Sequence, residues 1–437
     1  MGMKSVAFHT VGCKLNQFET NDIERQFAER GWSAVAFGAP ADVVVVNTCT
    51  VTGRSDSRCR AALRKARREN PEATVIATGC YAQAQPGAVA GMPEVDLVLG
   101  NREKAAVFDH LDEEGRPRAA RIAAAAIGPG ATTSFPLVRA FSGHTRAFVK
   151  IQDGCDNRCA YCIVPLARGP NRSLPAGDVV AQVAALVDAG YREVVLTGVH
   201  LGTWGRELEP RSTLAALLER LVAIPGLGRL RLSSIEPTEF TPELLDLLAS
   251  SRTICPHLHV PLQSGSAAVL RAMRRPYGPE AFARLIERLA ATLPDPALGA
   301  DVIAGFPGER EEDFDESVRF LRSLPLTYLH VFPFSPRPGT PAASMAGQVP
   351  AEERERRAGV LRELGREKSR EFLERQVGRS VRALIQGQPG RRRGATYGLT
   401  GNYLSVFVRA TKEEIGSFRD LRVTRHEGGS LHGEFCD

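Results

Sequence analysis

Three cysteines that lie close together in the chain point most directly to chemistry. Cys155, Cys159 and Cys162 occur in the segment GCDNRCAYC with the spacing C-x3-C-x2-C, and no fourth ligand of this kind follows nearby. A four-iron cluster is normally held by four cysteine thiolates, so three of them leave one iron without a protein ligand. The spacing therefore predicts an iron-sulfur cluster whose open iron binds a substrate or cofactor.

Two other interpretations of these cysteines fit the sequence less well. A structural zinc site needs four tetrahedral protein ligands, and the next candidate, His200, lies far downstream. A disulfide framework is disfavoured because nine cysteines is an odd number and the N-terminus does not resemble a secretory signal. We therefore expect reduced, metal-binding cysteines in a cytoplasmic protein.

A second set of cysteines, Cys13, Cys49 and Cys80, is widely spaced in sequence. Each of the three follows a predicted strand of one parallel sheet, and the carboxyl ends of such strands meet at one edge. A free cysteine is often only a small buried hydrophobic residue, but three in equivalent positions favour a second cluster. Gly12 and Gly79 would let the backbone turn sharply beside it. The remaining cysteines lack this setting and are interpreted as non-ligands: Cys59, Cys255 and Cys436.

The elements that position the second set are short β-rich segments that alternate with helical ones. This alternation predicts a parallel α/β domain over residues 1–125. Asn101 is predicted to cap a helix after the strand Asp96–Leu99. The predicted strands and helices before it are Ser5–Val11, Gln17–Arg30, Asp42–Thr48, Ser55–Arg68 and Thr74–Thr78.

A second alternating series forms the centre of the chain, over residues 144–375, after a linker at 126–143 that is rich in small residues and proline. Periodicity alone leaves open whether its six strands form a flat sheet or a partial barrel. The first cysteine cluster follows the first of these strands, at the end where α/β barrels place their active sites. The predicted strands are Ala147–Gln152, Glu193–Thr197, Arg229–Ser233, Leu258–Leu262, Gly299–Ala304 and Tyr328–Phe332.

The last segment, residues 376–437, has short strand-like pieces separated by glycine and charge, which predicts a small β-barrel. It carries three successive arginines, Arg391, Arg392 and Arg393, near Tyr397 and Tyr403. Basic side chains beside aromatic rings pair with phosphates and stack on bases, so these five residues are predicted to bind nucleic acid. An ordinary solvated arginine loop is the alternative interpretation.

Charge and hydropathy limit the partners. The formal net charge is +6 and the pI is about 8.9, which is compatible with a polyanionic partner but does not demonstrate one. The sequence contains no run of eighteen uninterrupted apolar residues, so we expect no membrane span.

The cluster motif, with Tyr161 directly before its last cysteine, resembles the radical S-adenosylmethionine superfamily. The resemblance favours a (β/α)6 partial barrel and implies that S-adenosylmethionine binds the open iron. Strand-end segments are expected to complete that cofactor site, whereas His257 and His259 are interpreted as core or rim histidines. The residues predicted to bind the cofactor are Tyr161, Gly198, His200, Glu236, Gln263, Ser264 and Asp301.

The whole chain resembles the methylthiotransferase family through three fragments, VGCKLNQFET, VVNTCTVTG and ATGCYAQ, combined with the radical motif and a C-terminal barrel of TRAM type. The resemblance implies two [4Fe-4S] clusters and two molecules of S-adenosylmethionine per turnover, with no catalytic side chains beyond the clusters. GCKLNQFET is similar to the branch that methylthiolates C2 of N6-threonylcarbamoyladenosine at tRNA position 37, immediately 3′ of the anticodon.

The resemblance implies a tRNA anticodon stem-loop as substrate and an electron donor of flavodoxin or ferredoxin type. A monomer is expected, and the sequence does not indicate the sulfur donor. Two alternatives within the enzyme family are isopentenyladenosine in tRNA and an aspartate of a ribosomal protein. A non-catalytic iron-sulfur or zinc protein that binds RNA is the alternative of a different class, and it would not need cofactor-binding strand ends.

Overall fold

The computed structural model describes residues 4–111, 119–128, 144–387 and 396–436. The chain divides into two compact units. The first contains Met1–Val138, Gln152–Ser173 and Ser335–Ser344. The second contains Arg139–Ile151, Leu174–Phe334 and Met345–Asp437.

A six-stranded, all-parallel sheet organises the first unit, as predicted. Its centre is the valine-rich strand Val43–Thr48, all six residues of which are buried, as is typical of a parallel strand covered on both faces. Two edge strands of three residues each were not predicted, because such short segments carry little periodicity. In spatial order the strands are Ser33–Val35, Ser5–Thr10, Val43–Thr48, Thr74–Gly79, Leu97–Leu99 and Arg121–Ala123.

The predicted cap at Asn101 is wrong. The segment that follows is a 3-10 helix, Glu103–Asp109, and no side chain caps it. The Asn101 side chain instead donates to the carbonyl of Ala167 (2.7 Å) and accepts from Lys104 (2.6 Å). The other helices of this unit are Lys14–Ala28, Gly53–Glu69, Cys80–Ala84, Pro86–Ala90, Val164–Arg168 and the 3-10 turn Pro341–Ala343, and a short strand pair is formed by Gln152–Asp153 and Arg172–Ser173.

The second unit contains six parallel strands that follow one another in chain order, as the partial-barrel prediction requires. They form two three-stranded sheets, and a bridge between Leu230 and Ile254 links the third strand to the segment before the fourth. The strands are Ala147–Lys150, Glu193–Thr197, Arg229–Leu232, His257–His259, Ala297–Ala304 and Tyr328–Pro333.

Helices connect these strands, and the helix Ala351–Glu374 packs Gly365 against Leu329 of the last one. Leu329 and its alternating neighbours therefore face that helix, while Tyr328 and His330 face the opposite, inner side of the sheet. The other helices are Ala176–Asp188, Leu214–Val222, Pro242–Ser250, Ala267–Ala272, Pro279–Thr292 and Glu311–Ser323, with 3-10 turns at Leu201–Thr203 and Pro237–Glu239.

The C-terminal part of this unit is a closed five-stranded barrel, which confirms the predicted small β-barrel. Two buried arginines of the third parallel strand, Arg229–Leu232, donate to the backbone of this C-terminal barrel. Arg229 donates to the carbonyl of Leu399 (2.8 Å) and Arg231 to that of Gly401 (2.8 Å). The strands are Ser380–Gly387, Thr396–Thr400, Ser405–Val408, Phe418–Glu427 and Ser430–Phe435. In the described part of the chain, every helix is too short or too polar to cross a bilayer.

Candidate functional site

Cys13, Cys49 and Cys80 converge at one edge of the parallel sheet. They follow three neighbouring strands, which end at Thr10, Thr48 and Gly79. A Cβ built on Gly12 would lie 3.1 Å from the Cβ of Cys49. Burial raises the pKa of the Cys49 thiol to about 11, and the nearby Cys80 and Cys13 thiols act in the same direction. The structure thus brings the three predicted ligands of the second cluster together.

Two buried asparagines hold the loops that carry these cysteines. Asn16 donates to the carbonyl of Thr48 (2.9 Å) and to Asn47 Oδ1 (3.2 Å), and Asn47 donates back to the Asn16 carbonyl (2.9 Å). The Cys13 thiol donates to Asn16 Oδ1 (3.4 Å). Sequence reasoning missed both residues, although each lies within three positions of a predicted ligand. A buried amide pair of this kind fixes the loops because every unmet hydrogen bond there would be costly.

Gly79 adopts a left-handed backbone, with φ of +95°, directly before Cys80. A Cβ at this position would overlap Asn47 Oδ1 and the backbone of Thr48. Gly190 has nearly the same φ, +96°, with no atom near its would-be Cβ. Both glycines have a positive φ, but of the two only Gly79 would bring a Cβ into overlap, and its ψ of −163° also lies in a region that is essentially confined to glycine.

We expect Gly79→Ala to destabilise the protein clearly more than Gly190→Ala, which should cost about 1 kcal/mol from left-handed strain alone. Gly79→Ala should cost about 3 kcal/mol, because the neighbouring strand end must also move. Urea unfolding of the two variants beside the unsubstituted protein measures the difference. Equal losses would contradict the packing described for Gly79.

Cys155, Cys159 and Cys162 lie in a loop of the first unit between the strand Gln152–Asp153 and the helix Val164–Arg168. Backbone hydrogen bonds close this loop, from Cys155 N to Gly169 O (3.0 Å) and from Cys162 N to Cys159 O (3.1 Å). Cys159 is buried, and the other two cysteines are partly exposed. Tyr161 is half-buried in the same loop.

The other three cysteines have different surroundings. Cys59 lies fully buried in the helix Gly53–Glu69, and its sulfur accepts a hydrogen bond from the backbone N–H of Cys49 (3.3 Å). Cys255 is buried in the second unit, and Cys436 is exposed. Cys59 therefore supports the loop that carries Cys49, and its role as a non-ligand stays a prediction.

The residues predicted to bind the cofactor in the second unit lie at or just after the carboxyl ends of its strands, with Asp301 inside one. Gly198 directly follows the strand Glu193–Thr197, and His200 is buried with Nε2 3.0 Å from Glu239 Oε1. Glu236 forms a close ion pair with Arg275. Burial raises the pKa of Glu236, and Arg275 opposes that shift without cancelling it.

Gln263 and Ser264 follow the fourth strand, where Gln263 has φ of +78° and donates its backbone N–H to the Asp301 carbonyl (2.8 Å). The hydroxyls of Ser264 and Ser317 are hydrogen-bonded (3.2 Å). Both predicted residues are buried. They hold the strand end to its neighbours, and their contact with a cofactor stays a prediction.

His259, Asp301 and His330 form a polar group on the inner face of the last three strands. One carboxylate oxygen of Asp301 lies 2.9 Å from His259 Nε2 and 3.4 Å from His330 Nδ1. Burial would raise the pKa of Asp301, but hydrogen bonds from the two imidazoles outweigh it and hold that pKa well below its usual range. Within the described ranges, this is the one group of three His, Cys, Asp or Glu side chains whose potential metal-ligand atoms all lie within 4.8 Å of one another.

The chain matches known families over most of its length. Residues 5–100 match an uncharacterized protein family, UPF0004, residues 149–321 match the Radical SAM superfamily, and residues 374–436 match the TRAM domain. It is 38% identical to the threonylcarbamoyladenosine tRNA methylthiotransferase MtaB of Bacillus subtilis, over 99% of this chain and 96% of that protein. The chain belongs to the radical S-adenosylmethionine methylthiotransferase family.

Other relatives widen this comparison. The MtaB protein of Aquifex aeolicus is 40% identical over 87% of this chain and 92% of its own length. A tRNA-2-methylthio-N(6)-dimethylallyladenosine synthase of Parafrankia is 37% identical over 92% of this chain and 82% of its own length. The radical S-adenosylmethionine methyltransferase TsrM of Kitasatospora setae has a similar fold, with a TM-score of 0.57 at 18% identity over 78% of this chain and 75% of that one.

The residues predicted to bind nucleic acid divide into two groups in this methylthiotransferase. Arg391, Arg392 and Arg393 lie outside the described residues. Tyr397 is half-buried and donates its hydroxyl to Gln386 (3.0 Å). The ring of Tyr403 lies 4.6 Å from that of His257 and beneath the Arg231 guanidinium (4.6 Å). Tyr403 therefore packs between the C-terminal barrel and the larger one.

Proposed function

We propose that this enzyme transfers a methylthio group to C2 of N6-threonylcarbamoyladenosine at position 37 of tRNA. The observation that carries the proposal is the presence of two separate sets of three cysteines. One set is gathered by three neighbouring strand ends and the other by one closed loop. Full-length similarity to enzymes named for this reaction supports it.

The residues fit two iron-sulfur clusters. Cys13, Cys49 and Cys80 would hold one cluster, and Cys155, Cys159 and Cys162 the other, each with one iron left open. When bound, the clusters and S-adenosylmethionine supply the electron transfer, the radical chemistry and the methylthio group of the reaction. The protein's own task is to hold these groups, bind the tRNA and exclude water.

Binding of S-adenosylmethionine falls to the strand ends of the second unit, and a role for Tyr161 of the first unit stays a prediction. Backbone at Gly198, the buried side chain of His200 and the half-buried side chain of Glu236 offer hydrogen-bonding groups to an amino acid and a ribose. Gln263 and Ser264 follow the next strand, and Asp301 lies within the one after it. A reduced flavodoxin or ferredoxin would supply the electron.

The choice of threonylcarbamoyladenosine over isopentenyladenosine rests on chemistry as well as on relatives. The threonylcarbamoyl group carries a carboxylate and a hydroxyl, whereas the isopentenyl group is a hydrocarbon. The inner face presents His259, Asp301 and His330, and the His330 side chain is 56% exposed. The exposed His330 imidazole can donate to a carboxylate and would be poorly matched by a hydrocarbon, whereas both ring nitrogens of His259 already contact Asp301 and Tyr328.

His330→Phe is therefore expected to lower kcat/KM for tRNA bearing threonylcarbamoyladenosine about tenfold, because a hydrogen bond to a charged group is lost. His330→Asn keeps a side-chain donor and should lose less. Steady-state kinetics with defined tRNA give both values. Equal activity of His330→Phe and the unsubstituted enzyme would remove His330 from substrate recognition.

RNA binding falls to the C-terminal barrel, which matches the TRAM domain. Contacts with phosphate would position the anticodon arm without reading its sequence, and the modified loop base would be read in the active site. The net charge of +6 is consistent with such contacts.

The test uses anaerobically reconstituted enzyme, dithionite, S-adenosylmethionine and three tRNA preparations that carry threonylcarbamoyladenosine, isopentenyladenosine or unmodified adenosine. Mass spectrometry of the nucleosides should detect the methylthio product in the first preparation alone. Product from isopentenyladenosine instead would leave the enzyme class intact and change its substrate. Iron-loaded enzyme that modifies none of the three, with a ribosomal-protein substrate modified instead, would reject the tRNA proposal.

A further inference from the structure

Arg168 makes a contact in the first unit that sequence reasoning did not foresee. It is the last residue of the helix Val164–Arg168, six positions after Cys162. Its Nε donates to the sulfur of Cys80 at 3.2 Å. We infer that Arg168 is a positioning residue that orients Cys80 as a ligand of the second cluster and raises the reduction potential of that cluster. The inference rests on the proposed function, because it takes Cys80 to be a cluster ligand.

The guanidinium is held too firmly for this contact to be incidental. Its side chain is 3% exposed, and all five of its N–H donors have acceptors in reach. Besides the sulfur, these acceptors are Glu19 Oε1 (2.8 Å), Asp153 Oδ1 (3.0 Å), Asn16 Oδ1 (3.2 Å) and Glu19 Oε2 (3.2 Å). The buried Arg168 guanidinium is already paired with the carboxylates of Glu19 and Asp153, and its Nε–H group still donates to the Cys80 sulfur.

The carboxylate partners of Arg168 are buried as well. Glu19 is 6% exposed and also pairs with Lys104 (2.5 Å), and Asp153 is 5% exposed. Removing one member of such a network leaves buried charges unpaired. The network therefore fixes the direction of the Nε–H group toward Cys80.

Arg168 also connects the two sets of cysteines in this unit. Asp153 precedes Cys155 by two positions and accepts from the backbone of Gly154 (2.8 Å). Asn16, a second partner of Arg168, accepts from the thiol of Cys13. The arginine thus touches one ligand of the second set directly, another through Asn16, and the start of the first loop through Asp153.

A hydrogen bond from a cation to a coordinating thiolate withdraws electron density from sulfur. Such bonds are among the principal means by which a protein tunes an iron-sulfur cluster. Loss of the bond makes the reduced cluster less favourable, so the reduction potential falls. A residue that merely supported the fold would lower stability and leave the potential unchanged.

The test uses full-length protein with Cys155, Cys159 and Cys162 replaced by alanine, so that only the second cluster is present. Arg168→Gln and Arg168→Lys are made in this background. Arg172→Gln is the matched control, because Arg172 pairs with the other oxygen of Asp153 (3.5 Å) and lies outside the contact with Cys80. A redox titration monitored by electron paramagnetic resonance gives each potential, and chemical analysis gives iron and sulfide.

We expect Arg168→Gln to shift the potential to more negative values, or to lose the cluster outright, and Arg172→Gln to retain both cluster and potential. Arg168→Lys keeps the charge without the Nε–H group and should shift less than Arg168→Gln. An unchanged potential in Arg168→Gln and Arg168→Lys would overturn the inference, as would equal shifts in Arg168→Gln and Arg172→Gln. A parent protein that binds no iron would instead reject the proposed second cluster before any variant is compared.

Discussion

Replacing Cys155, Cys159 and Cys162 together with alanine is expected to reduce the iron content from about eight to about four atoms per chain. It should also abolish both the cleavage of S-adenosylmethionine and methylthiolation. The three thiols would be the protein's entire ligand set for one cluster, and no other cysteine lies in that loop. Iron and sulfide analysis, together with chromatography of 5′-deoxyadenosine, measures the outcome.

The loop should survive this substitution, since backbone atoms close it through the bond from Cys155 N to Gly169 O. Circular dichroism checks that it does. Cys436→Ala is the matched control, because Cys436 is exposed and belongs to neither set, so its iron content should stay at about eight. Zinc in place of iron in the unsubstituted protein, or full activity of the triple variant, would contradict the assignment.

The two cysteine sets could be predicted from sequence for different reasons. The first depends on spacing within eight residues, which needs no knowledge of the fold. The second depends on topology, since Cys49 and Cys80 directly follow buried strands and parallel strands end at a common edge. The left-handed glycine before Cys80 could also be foreseen, because a sharp turn after a strand favours that residue type.

Arg168 could not be found in this way. Its contact with Cys80 joins residues 88 positions apart, and nothing in the composition of VPLAR distinguishes a buried arginine from a solvated one. The direction of a side chain depends on the whole packed network around it, here Glu19 and Asp153. The predicted cap at Asn101 is wrong for the same reason, because its side-chain amide forms hydrogen bonds with the Ala167 carbonyl and the Lys104 ammonium.

The group formed by His259, Asp301 and His330 also could not be predicted from the sequence. The spacing of two residues between His257 and His259 predicts that both side chains face one side of a strand. The register that places Asp301 beside His330 comes from pairing between two strands that are separated in sequence by a helix. Family resemblance, and not periodicity, favoured the barrel that sets this register.

The second large effect is expected from replacing Cys13, Cys49 and Cys80 together with alanine. Iron should again fall to about four atoms per chain, but the loop that carries Cys155 remains complete. Cleavage of S-adenosylmethionine should therefore continue while methylthiolation of tRNA is lost. The same assays of iron, 5′-deoxyadenosine and modified nucleoside measure all three quantities.

This separation of the two activities distinguishes two clusters with different tasks from a single shared site. If all six cysteines served one centre, either triple variant would lose cleavage and transfer together. If the second set were only buried hydrophobic residues, its variant would lose stability and keep both its iron and its transfer activity. Retained cleavage with lost transfer is expected if Cys13, Cys49 and Cys80 hold a group that transfer needs and cleavage does not, and their position at one sheet edge favours such a shared group.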